Sequence, residues 1–153
     1  MRSGLKSCIG FFLLLWTGIV LPGACTCKGG GDVMSEMREF DSFFSTHVDS
    51  VATAPRRMRT QVLQRMKAAK DSLVRYNYLS VALKTCLATS DIDSAQLLIR
   101  EIEDFTGRQP FSHRLADLQS ECLNMKGNIY SRKGYIESAE VCFKKAYEWR
   151  LEV

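Results

Sequence analysis

The chain has 153 residues, 46% hydrophobic and 25% charged; this is one domain's length of ordinary globular composition, which excludes a large two-domain nucleotide enzyme and a disordered or fibrous chain. The formal charge is +4, and +2 without Arg2 and Lys6, too small to argue for a nucleic-acid partner. Seven of the ten glycines lie in the first 31 residues, and only Pro55 and Pro110 lie beyond them; so few breakers exclude a turn-rich all-β domain and predict an all-α one.

Arg2 and Lys6 give a short basic start, and the 13 residues from Ile9 to Leu21 carry no charge. A spanning helix needs about 20 residues, so this run reads as the core of an export signal. Its exit, Leu21-Pro22-Gly23-Ala24-Cys25, resembles the lipobox of bacterial lipoproteins, in which small residues precede a cysteine that is lipidated. The resemblance implies a signal peptide over residues 1–24, lipidation of Cys25, and a membrane-anchored protein on the periplasmic or cell-surface side. Pro22 departs from the family's aliphatic residue, with Leu21 one step back, and Cys27 is a second candidate; plain secretion is the alternative. Lys28-Gly29-Gly30-Gly31 reads as a flexible tether within residues 25–32, ahead of a helical domain over 33–153.

Val33, Met37, Phe40, Phe44, Val48 and Val51 recur at gaps of three and four, predicting one helix face over 33–51 with Asp32 as cap. Ala54-Pro55 ends it. The pattern resumes at Met58, Val62, Met66, Ala69 and Leu73 and runs on through Tyr76, Leu79, Leu83 and Cys86 to Ser90-Asp91. That length is unusual for a globular helix, which points to a break near Lys70-Asp71-Ser72. Asp91 or Asp93 is expected to cap a helix over 94–105, and Ser112 one that runs to Arg132. Gly134 marks a tight turn before a last helix from about Ile136. Cys86, Cys122 and Cys142 fall inside these patterns and read as core, with a Cys122–Cys142 bridge as the alternative.

Sliding the chain over itself by 44 residues lays Leu79 on Leu123, Cys86 on Tyr130 and Asp93-Ser94-Ala95 on Glu137-Ser138-Ala139. The second copy, Leu123, Gly127, Tyr130, Gly134, Ala139, Phe143 and Ala146, resembles a tetratricopeptide repeat: a small residue then an aromatic on one helix, and Ala-x-x-x-Phe on the next. The likeness implies antiparallel helical hairpins stacked as a short α-solenoid, with Gly127 and Ala139 at a close helix approach. Leu123 replaces the usual tryptophan, Lys126 a leucine and Leu151 a closing proline, and 44 exceeds the family's period; a generic antiparallel bundle is the alternative. Lipobox and repeats together are similar to the extracytoplasmic part of Bacteroidetes signalling proteins, whose kinase or DNA-binding continuation is not in this sequence.

Chemistry is sparsely provided. His47 and His113 are the only histidines and read as surface or boundary residues. No zinc spacing, phosphate loop or nucleophile elbow occurs, so neither enzyme activity nor a metal or other cofactor is expected. Arg56, Arg59, Lys67 and Lys70 fall on one stripe of a helical wheel, a solvated flank or a site for an acidic peptide or anionic lipid. Trp149 lies on a last helix rich in apolar residues, where an exposed patch with Phe143 or Tyr147 would be covered by a partner or by self-association. The expected function is a protein- or peptide-binding scaffold; a sensory input fragment of a signalling or transcription-regulatory protein is the alternative.

Overall fold

The computed structural model describes residues 30–151 as seven helices with no strand among them: α1 (Gly30–His47), α2 (Ser50–Thr53), α3 (Pro55–Ala68), α4 (Ser72–Ala88), α5 (Ile92–Thr106), α6 (His113–Arg132) and α7 (Ile136–Leu151). The all-α expectation holds for these residues. The signal segment and Cys25 lie outside them, and the last three residues assigned to the tether, Gly30 to Asp32, are the first turn of α1. Asp32 therefore sits inside the helix, where a carboxylate favours the positive end of the dipole, rather than at its cap.

The first helix ends earlier than its apolar spacing predicts. It buries Met37, Phe40 and Phe43, leaves Phe44 half-buried, and stops at His47, so Val48 is exposed and Val51 falls on α2. The last turn carries groups that draw on its carbonyls: Ser45 and Thr46 hydroxyls donate to Ser42 O, and His47 Nδ1 lies 2.9 Å from Phe43 O. Such local bonds compete with the helical ladder. Pro55 then opens α3, where its missing N–H costs nothing.

The break before α4 falls where the length of the pattern placed it. Ala69 is extended, and Asp71 Oδ1 accepts from Val74 N at 3.0 Å, capping α4. Glu36 reaches across from α1 and accepts the backbone N–H groups of Lys70 and Asp71 at 3.1 and 3.0 Å. These N–H groups have no helical partner, so the carboxylate supplies what the break removes.

Helix α4 is the central element and packs on α1, α2, α3, α5 and α6. One face joins Met37, Phe40, Met58 and Val62 through Val74, Tyr78 and Val81. The other joins Ile99, Ile102, Leu118 and Cys122 through Leu79, Leu83 and Cys86. Aromatic contacts tie the layers: Phe40 meets Tyr78 edge-on at 5.0 Å, and Tyr76 stacks on Phe105 at 3.8 Å. Helix α7, by contrast, packs extensively on α6 alone.

The two hairpin turns are the same turn repeated. Helix α4 ends at Ala88 and α6 at Arg132; α5 begins at Ile92 and α7 at Ile136. Both offsets equal the 44-residue shift found in the sequence. Ser90 and Gly134 hold the corresponding left-handed positions, φ 57° and 81°. The next residues, Asp91 and Tyr135, donate their N–H to Cys86 O and Tyr130 O, each at 2.9 Å. This is the bond by which a left-handed residue satisfies the last helical carbonyls.

Candidate groove along α5, α6 and α7

Helix α6 starts where Ser112 caps it, its hydroxyl accepting from Leu115 N at 3.2 Å. Its buried face carries Leu115, Leu118, Cys122, Met125 and Ile129 into the core. Four other residues, Gln119, Leu123, Lys126 and Tyr130, recur at gaps of four, three and four and line the floor of an open groove. Helix α5 contributes Glu103 to one wall, and α7 contributes Glu137, Val141, Cys142, Lys145 and Trp149 to the other. The groove volume is about 1030 Å³.

Two features fix its walls. Lys126 Nζ donates to Glu103 Oε1 at 2.6 Å, with both side chains about 30% exposed. Partial burial pulls the Lys126 ammonium towards deprotonation, but the hydrogen bond and charge of Glu103 outweigh it and hold its pKa above the usual lysine range. At the far end Phe111 stacks on Trp149 with centroids 6.1 Å apart, an aromatic shelf next to Gln119. The Gln119 Oε1 oxygen is buried without a hydrogen-bond partner, a state that costs about 1–3 kcal/mol. Among the described residues, Glu137, Lys145 and Glu148 line the groove without an ion pair.

The repeat-packing residues fall around this hairpin. Ala139 and Ala146 are buried, and Ser120, itself buried, donates to Ala146 O at 2.8 Å while accepting from Arg150 Nε at 3.2 Å. Leu123 is buried at the groove floor, and Tyr130 meets Tyr135 edge-on at 6.3 Å. The close approach at Gly127 is to Phe143 rather than to Ala139. A Cβ built there would lie 2.6 Å from Phe143 Cε1, with no Ala139 atom among its three nearest neighbours. The aromatic ring fills the space that the absent side chain leaves.

The four cations of the basic stripe are dispersed. Arg56 and Lys67 are exposed on α3, while Arg59 donates to Asp91 Oδ2 at 2.9 Å. Lys70 lies beyond the end of α3 at Ala68, so the wheel that grouped it with the others does not extend to it; its Nζ is 3.7 Å from Asp32. The Arg59 hydrogen bond holds the Asp91 carboxyl below the usual range, and Ser94 adds to the effect. Trp149 is half-buried in the groove.

His47 stacks on Phe43 at 4.7 Å, and His113 is exposed beside Phe111. Cys86, Cys122 and Cys142 are free and buried. Burial pushes the Cys122 thiol up to about 12 and raises Cys86 and Cys142 in the same direction, so none is a ready nucleophile. Among the described residues no three His, Cys, Asp or Glu side chains gather to hold a metal ion, and no helix is long and apolar enough to cross a membrane. The Gln119, Leu123, Lys126, Tyr130 stripe was present in the sequence, but its mixed polarity gave it no helical signature. Comparison with family models, curated proteins and solved structures gives no match.

Proposed function

We propose that this chain is an exported, lipid-anchored helical-repeat protein that binds a segment of a partner protein in the α5–α7 groove. The groove carries the reading: its lining mixes apolar and aromatic side chains with charged ones in about equal measure, some of those charges are unpaired, and one buried oxygen is short of a donor. A polypeptide offers what that combination lacks, namely backbone N–H donors and apolar side chains along one line. The tetratricopeptide-like reading is supported by the matched turns at Ser90 and Gly134 and by the packing of α4 on both α5 and α6. The anchor rests on the resemblance of Leu21-Pro22-Gly23-Ala24-Cys25 to a lipobox.

The test is peptide display against the full chain, followed by titration of the recovered peptides. Val141→Arg and Lys145→Glu change exposed side chains of the groove wall and leave the core alone. Peptides that bind the parent chain and lose affinity for both variants support the reading; peptides indifferent to both overturn it. For the anchor, intact mass and membrane fractionation are compared for the parent and Cys25→Ala. A mature protein with an unmodified terminus at another residue overturns that part.

A further inference from the structure

We propose that the end of the groove at Phe111 and Trp149 is a pocket for one arginine side chain. The inference rests on the reading of the groove as a peptide site, and it names the residue that the site selects. A second cavity, of about 260 Å³, adjoins the groove and shares Phe111, Gln119 and Trp149 with it. The end of α5, at Thr106 and Gly107, lies against this cavity. The volume is below that of a site for a drug-sized ligand and suits one long side chain.

The surroundings decide which side chain. Gln119 Oε1 is buried and has no donor, and the Thr106 hydroxyl spends its hydrogen on Glu103 O at 3.2 Å. The C-terminal end of α5 is the negative end of its dipole, and its last turn carries no basic residue. Glu148, exposed on the groove wall next to Trp149 in sequence, makes no ion pair among the described residues. The oxygen requires an N–H or O–H group, and the helix end and the carboxylate favour a positive one. Phe111 and Trp149 lie nearly parallel, with 16° between their planes, and Phe111 is 55% exposed, so its ring keeps surface for another planar group.

Arginine meets these requirements together. An apolar side chain would leave the Gln119 oxygen unpaired, and a carboxylate would be repelled by Glu148 and by the end of α5. An asparagine or glutamine could donate, but it would leave Glu148 without a counter-charge. A lysine ammonium is strongly hydrated and donates from a point, whereas a guanidinium is planar, presents five donors in a fork and stacks on aromatic faces. In the bound state the guanidinium lies against the Phe111–Trp149 pair, one N–H donates to Gln119 Oε1, and Glu148 balances the charge.

The probe is a capped Ala-Arg-Ala tripeptide, titrated into the full chain in a mild detergent while NMR follows the Trp149 indole and the Gln119 side-chain amide. Its isostere with citrulline, in which a neutral urea replaces the guanidinium, and its lysine counterpart serve as controls. The arginine peptide should shift both signals saturably, with a Kd in the millimolar range as suits a single side chain. Citrulline and lysine should bind at least about fivefold more weakly, and Phe111→Ala and Glu148→Gln should each weaken the arginine peptide by a similar factor. Both side chains are exposed, and circular dichroism checks that the variants are folded. An arginine peptide that leaves both signals unmoved, a citrulline peptide that binds equally, or a Phe111→Ala chain that binds like the parent would overturn the proposal. Displayed peptides that depend on the groove wall but carry no arginine and tolerate Phe111→Ala would also overturn it, while sparing the groove. If display recovers no peptide and the arginine probe still binds as described, the pocket stands and the wider groove reading falls.

Discussion

Replacing Gly127 by leucine sets two terms of known sign against each other. Glycine in a helix interior costs about 1 kcal/mol relative to a good helix former, so the substitution gains that much locally. Against it stands Phe143, whose Cε1, Cδ1 and Cζ would lie 2.6, 2.9 and 3.0 Å from the new Cβ. A β-carbon alone needs the ring to retreat by about 1 Å to reach ordinary contact. Phe143 is 39% exposed and has room to swing outward, so Gly127→Ala should be close to neutral. Leucine adds three more carbons where the ring sits and expels it. An aromatic side chain buries about 150–250 Å², so the covered part of Phe143 is about 120 Å². At about 25 cal/mol per Å² its loss costs about 3 kcal/mol. After the helical gain the net cost is about 2 kcal/mol, a fall in Tm of about 8 °C for a domain of this size. Thermal and urea unfolding followed by circular dichroism measures it. The same substitution in a Phe143→Ala background should lose its penalty, because there is no ring to displace. A Gly127→Leu chain that melts with the parent, or one penalised equally with and without the ring, would refute the reasoning.

The matched turns give a pair of opposite expectations. Ser90 holds a left-handed conformation that costs a side-chain-bearing residue about 1–2 kcal/mol, so Ser90→Gly should stabilise by about 0.5–1 kcal/mol, whereas Gly134→Ala should destabilise by about 1 kcal/mol through backbone strain; urea midpoints decide both. The Asp91 carboxyl is held below its usual range by Arg59 and Ser94, so its contribution is present above the unfolded value and lost as pH falls through the lower folded one; Asp91→Asn should flatten the acid limb of the stability profile. Cys122 keeps its proton in the folded state up to about pH 12 while the unfolded thiol loses it near pH 8.5. Stability should therefore fall by roughly 1 kcal/mol per pH unit across that window, and Cys122→Ala should lessen the fall.

The elements legible in the sequence were those fixed by local chemistry. Asp91 and Ser112 cap their helices through their own side chains, and Gly134 turns the chain because only glycine adopts its φ without strain. The break at Lys70-Asp71-Ser72 was visible as excess length, but its second support, Glu36, comes from another helix 34 residues away. The end of α1 was missed because Val48 and Val51 continue the apolar period, while the hydroxyls and the histidine that draw on the last carbonyls leave no trace in hydrophobicity. The groove was hidden for a related reason. Its floor alternates Gln119, Leu123, Lys126 and Tyr130, and polarity averages out along such a stripe. The Glu103–Lys126 pair that closes one side joins two helices, and no spacing rule within one helix announces it.

Because α7 docks extensively on a single neighbour, one wall of the groove is also the outermost layer of the fold. Undocking α7 separates Val141 and Trp149 from Leu123 and Lys126, so the cavity has no existence apart from that docking. Whatever fills it must touch both helices, and it therefore holds α7 in place with the same free energy by which it binds. Affinity and local folding are then a single equilibrium. The slowing of amide exchange along α7, relative to α4, would report occupancy directly, even for a ligand that leaves every side chain where it stands.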